Sequence, residues 1–209
     1  MSGRRMPRQK PGLSVQSVGT PWSLITAACN KLRIERFNWD LAAEESNTKA
    51  PYSLIDEQFR MKRRYFNEAD DALSQPWHRL NEYNQTGGTP WSWLNPPFGN
   101  ISEWAEKCCL EAARGAFIAM LVPSSTGARW WVAHVHGHAY VLHLWGRVTF
   151  EGHDKPYPKD VSLCLYTPTG FKGVDFWDWR MDMGILLMEP SEIRGVPAGG
   201  IVSEEGVPF

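Results

Sequence analysis

Asn95, Pro96, Pro97 and Phe98 directly follow the apolar run Trp91-Ser92-Trp93-Leu94. Two adjacent prolines remove two backbone donors and fix two φ angles, so a strand must stop there. Asn95 then offers a neutral amide oxygen. Pro96 offers a carbonyl whose direction is held by the next proline. Two acceptors close together suit an NH₂ group, which has two hydrogens to give. Phe98 can lie flat against a planar ring carrying that group. An exocyclic amine on an aromatic base is a weak nucleophile, because its lone pair is delocalised into the ring. Acceptors pulling on both hydrogens favour a pyramidal nitrogen with a directed lone pair. That is positioning of a transition state, and it needs neither a covalent enzyme intermediate nor a metal. A base within a duplex cannot reach such a pocket and must be flipped out.

Other residue groups invite other chemistry. His134, His136, His138 and His143 lie close in sequence, but no carboxylate or thiol accompanies them at a standard ligand spacing. The expectation is no metal site. Cys108 falls in an apolar helical pattern with no positioned base, which argues against a nucleophile. Arg60, Lys62, Arg63 and Arg64 stand beside Tyr65 and Phe66, a mixture suited to a nucleic-acid groove and equally to a solvated face. Arg147, in Gly146–Phe150, can meet a phosphate or a base from a turn. Arg4, Arg5, Arg8 and Lys10 give residues 1–18 the character of a flexible basic arm.

The elements that position these residues alternate. Thr20 suits an N-cap and Pro21 a first helical position, with Leu24, Ala27, Ala28 and Leu32 at helical spacing behind them. A short strand ends near Asp40, followed by the small residues Ala42 and Ala43. The Trp91–Leu94 run is a second strand, and Ser102 can cap the helix after it. Phe117–Pro123 reads as a buried parallel strand. A loop and helix over 124–138 and strands near 139–150, 161–168 and 174–179 complete the pattern. Such alternation predicts an α/β fold with a mostly parallel central sheet. Ligands of these sheets bind beyond the carboxyl ends of the strands. Asp40 and Asn95, each at a strand end, are therefore expected to face one cleft.

The bulk numbers exclude several classes. The 209 residues are 43% hydrophobic, enough for one domain with a real core. A net charge of −1 means that no global positive field marks a nucleic-acid binder, so binding must use local patches. The four cysteines form no CxxC pair, as expected of reduced thiols in a cytosolic protein. No apolar run is long enough to cross a bilayer. A soluble, cytoplasmic protein is expected, with one folded domain over residues 19–188 and a flexible Gly/Pro-rich tail over 189–209.

Taken in order, the segments GTPWSL, FNWDLAAEESN, DDALSQPW, WLNPPFGNISEW and GARWW…GRVTF resemble the phage and prophage Dam-type DNA N6-adenine methyltransferases. The resemblance runs from about Thr20 to Tyr166. It implies a Rossmann-like fold that uses S-adenosylmethionine to methylate N6 of adenine in DNA, in the host cytoplasm if phage-encoded, with a monomer favoured. It implies that Asn95 and the Pro96 carbonyl hold the amine, within the motif Asn95-Pro96-Pro97-Phe98, and that Phe98 stacks on adenine. Thr20 and Pro21 then lie near the methionine end of the cofactor, Asp40, Ala42 and Ala43 hold it, and Asp71 or Asp70 meets its adenine. This chain has Asn38 where family members often carry a second aspartate, and Phe98 where they often carry tyrosine. It also lacks a GxG loop after Asp40. An RNA or protein amino-methyltransferase, or a binding module with decayed chemistry, is the alternative.

Overall fold

The computed structural model describes residues 19–50, 63–84 and 88–183. The basic arm (1–18), Arg60, Lys62 and the tail (189–209) lie outside these. Six strands form one sheet: β1 (Trp39–Asp40), β2 (Trp91–Leu94), β3 (Phe117–Pro123), β4 (Tyr140–Leu144), β5 (Val161–Tyr166) and β6 (Gly173–Trp177), in the order β1-β2-β3-β5-β4-β6. β1, β2 and β3 pair in parallel, as do β4 and β6. β5 is antiparallel to both of its neighbours. The fold is therefore mixed α/β with a mostly parallel sheet, and β5 is the one strand that runs against the others.

Helices cover both faces. Alternate residues of β3 point opposite ways, as a strand requires. Ile118, Met120 and Val122 pack with Trp104, Ala105 and Cys108 of α2 (Ile101–Ala112) and with Trp131 of α3 (Arg129–His134). Ala119 and Leu121 pack with Leu24, Ala27 and Ala28 of α1 (Trp22–Leu32). Each such large side chain, fully buried, stabilises by roughly 1.5–3 kcal/mol relative to exposure. The cysteines are free, and three of the four are buried. Burial raises the Cys108 thiol well above its usual range, consistent with a packing role.

Two helix starts differ from expectation by one or two residues. Pro21, and not Thr20, is the N-cap of α1, and its carbonyl accepts from the amides of Leu24 and Ile25. Asn100, and not Ser102, is the N-cap of α2. The Pro21 carbonyl takes the Leu24 amide, one of those that a capping side chain would otherwise satisfy. The consequence falls on Thr20, whose hydroxyl is released from capping.

Arg64 also departs from expectation. Residues 64–66 run alongside β1: Asp40 donates its amide to the Arg64 carbonyl, and Phe66 donates to the Asp40 carbonyl. This places Arg64 inside, where its guanidinium donates to the side-chain oxygen of Asn38. Arg63 pairs with Asp70. A basic cluster with all its charges outward is thus corrected. Pairing beside β1 fixes this segment inside the protein, and both Arg64 and Tyr65 are buried there. Asn38 in turn donates to the Leu80 carbonyl at 3.1 Å, which an aspartate in its place would not do.

Candidate active site: a polar cleft at the ends of two parallel strands

β1 and β2 are in parallel register, with Asp40 opposite Trp93. Their carboxyl ends therefore deliver Asp40 and, two residues past Trp93, Asn95 to the same place. A small cleft there is lined by Gly19, Thr20, Asp40, Ala42, Asn47, Lys49, Trp93 and Asn95. Four residues singled out from sequence, Thr20, Asp40, Ala42 and Asn95, meet in it. Pro21 caps α1 beside Thr20, and Pro96, Pro97 and Phe98 follow Asn95 without lining the cleft.

Asp40 is buried and holds its surroundings together. One carboxylate oxygen accepts from the Ala42 amide at 3.3 Å and the other from the Lys49 amide at 2.8 Å. It thereby folds the loop that brings Asn47 and Lys49 to the cleft. Burial pushes the Asp40 carboxyl up to about 6, against the opposing pull of those two amides and of the Lys49 charge. Thr20, 1% exposed, has a hydroxyl with no hydrogen-bond partner among the described residues. A buried polar group left so is rare and points to a missing partner.

Sequence reading missed Asn47, Lys49, Trp93 and Glu151. The Lys49 ammonium bonds both carboxylate oxygens of Glu151 at 2.9 Å and stands 4.6 Å above the Trp22 ring. Glu151 comes from a segment about 100 residues away, so no local spacing announced the pair. That same segment brings Phe150 and Tyr157 against Phe98, with ring centroids 6.2 Å and 5.6 Å from it. Phe98 is only partly buried between them.

The two aspartates of Asp70-Asp71 are not equivalent. Asp70 accepts from the Asn67 amide at 2.8 Å and pairs with Arg63, closing a capping box. Asp71 is exposed, in left-handed backbone at φ 46°, and its carboxylate has no partner among the described residues. It follows the segment paired with β1 and does not line the cleft itself. Arg147 is exposed, next to a left-handed turn at Gly146 and the 69%-exposed Trp145. The histidines scatter: His143 bonds Ser162 at 2.8 Å and stacks on Trp131, while His136 and His138 are exposed. Among the described residues no His, Cys, Asp or Glu group is placed to hold a metal ion, and no helix is long and apolar enough to cross a membrane.

A polar cleft at the carboxyl ends of neighbouring parallel strands is where an α/β sheet binds its ligands. Fold and site thus define an α/β ligand-binding domain with an Asn-Pro-Pro-Phe turn at the cleft's rim. The family model of the DNA N-6-adenine-methyltransferases (Dam) matches residues 16–162, and the chain belongs to that family. Membership indicates a transferase that methylates adenine N6 in DNA. Comparison with the curated proteins gave no match.

Proposed function

We propose that the protein transfers a methyl group from S-adenosylmethionine to N6 of an adenine flipped out of DNA, on a Rossmann-like domain. The observation that carries this is the meeting of Asn95 with Thr20 and Asp40 in one cleft. The residues present fit the cofactor, since the buried Thr20 hydroxyl lacks a partner among the described residues and the cleft walls are polar. Thr20, Pro21, Asp40 and Ala42 would hold it, and the unpaired carboxylate makes Asp71 the better candidate than Asp70 for its adenine. When bound, S-adenosylmethionine supplies an electrophilic methyl on a sulfonium sulfur.

This chain's residues act on the amine. The Asn95 side-chain oxygen and the Pro96 carbonyl accept its two hydrogens and aim its lone pair. Phe98, braced by Phe150 and Tyr157, offers the surface against which the base is held. The surplus proton of the amine leaves to solvent. Arg63 and Arg147, both with exposed guanidinium groups, are the described candidates for phosphate contact; Arg64 serves the core.

The test is to incubate the protein with labelled S-adenosylmethionine and unmethylated DNA, digest to nucleosides and weigh the product. N6-methyladenine is expected. Label on another nucleoside overturns the reading in favour of a different DNA base, and no label from a protein that binds the cofactor overturns it in favour of an RNA or protein amine.

A further inference from the structure

We propose that the Lys49–Glu151 ion pair is the site that recognises the amino-acid end of the cofactor, Lys49 taking its carboxylate and Glu151 its ammonium. The inference rests on the cofactor reading above. Lys49 lines the cleft with Thr20, Asp40 and Asn95, and its side chain is 3% exposed. An ammonium is strongly hydrated, so burying one is costly unless it is paired. Here one carboxylate accepts two hydrogen bonds from the ammonium, and the face of Trp22 covers it.

Glu151 is placed differently from its partner. Its side chain is 37% exposed, so it can shift without leaving a buried void. Its carboxylate lies against Gly19, another cleft residue, where a Cβ would collide with it. Its amide donates to the Gly19 carbonyl at 2.9 Å, which anchors the backbone while the side chain remains at the surface.

Charge balance selects the ligand. If a simple anion entered, it would displace Glu151 to solvent and give that carboxylate no new partner. A simple cation would strand Lys49. A zwitterion inserted between the two gives each of them a partner and adds no net charge beside the buried Lys49. An α-amino acid presents its carboxylate and ammonium on one carbon, the spacing that an opened ion pair can meet. The Thr20 hydroxyl, buried in the same cleft without a partner among the described residues, supplies one more polar contact.

The experiment is calorimetric titration of the full chain, with no methyl transfer involved. Two probes are compared: S-adenosylhomocysteine, and 5′-methylthioadenosine, which keeps the nucleoside and the sulfur but lacks the amino-acid end. Lys49→Met and Glu151→Gln should each weaken S-adenosylhomocysteine by about tenfold or more, the usual weight of a hydrogen bond to a charged group, and leave 5′-methylthioadenosine unchanged. Equal effects on both probes, or no effect on either, overturn the proposal and leave the cofactor reading standing. Failure of the wild-type protein to bind either probe overturns that reading and the proposal with it. Should Lys49→Met fail to fold, Glu151→Gln at the surface carries the same comparison alone.

Discussion

Among the described residues are two lysine–glutamate pairs of nearly equal length, Lys49–Glu151 at 2.9 Å and Lys107–Glu111 at 2.8 Å. Their surroundings are opposite. Glu111 is fully buried on α2 and accepts from Lys107, from Arg114 at 3.3 Å, and from both the amide and the ring of His78. Burial alone would raise its carboxyl, but the Lys107 and His78 hydrogen bonds outweigh that and hold it down at about 2. Its job is to fasten α2 to the 3-10 turn Trp77–Tyr83, and its capacity for hydrogen bonds is used up. In the other pair it is the lysine that is buried, the carboxylate is at the surface, and an unpartnered hydroxyl and an open cleft lie alongside. Burial and pairing do not by themselves mark a functional site. Polar capacity left over, facing a space that a ligand can fill, does.

Four substitutions would break or sharpen that contrast. The largest effect is expected from Asn95→Ala, which should cut N6-methyladenine formation by about 100-fold or more in a protein that still folds. Unchanged product formation by the folded variant would remove Asn95 from the chemistry. Next is Glu111→Gln, which should cost about 2 kcal/mol of stability at neutral pH by weakening the hydrogen bonds that the buried carboxylate accepts from Lys107, Arg114 and His78. The native carboxyl titrates below its unfolded value, so Glu111 stabilises fully above the unfolded value near 4.5, and the effect fades as pH falls towards 2. Urea unfolding of wild type and variant across that window should show the two converging. Cofactor affinity, measured at neutral pH, should stay the same.

Thr20→Val tests the leftover-capacity argument most directly. The side chains are nearly the same shape, and the hydroxyl lost had no partner among the described residues. The variant should unfold no more easily than wild type, or slightly less, while S-adenosylhomocysteine binds about tenfold more weakly. A drop in stability would show that the hydroxyl serves the fold. The smallest effect belongs to Arg147→Ala, which should lower the slope of log affinity for DNA against log salt by about one and leave cofactor binding alone. An unchanged slope would place Arg147 away from the phosphates.

Contributions to the fold and the cleft divide along the range of the forces involved. Local sequence determined the strand that ends at Asn95, because two prolines cannot continue a ladder, and the buried strand Phe117–Pro123, because its residues are apolar without a break. It also determined that Asp40 and Asn95 stand at strand ends, and parallel pairing then made them neighbours. The order of the segments carried the family. Tertiary structure alone decided the rest. Whether Arg64 faced water or Asn38 depended on its segment pairing beside β1. Which aspartate of Asp70-Asp71 kept a spare carboxylate depended on the Arg63 contact and the capping box. Lys49 and Glu151 are 102 positions apart, and neither has a patterned neighbourhood. The packing of the 148–157 segment against Phe98 and the Glu151 amide's bond to Gly19 bring the second to the first, since a charge pair is set by distance in space and leaves no periodic trace along the chain.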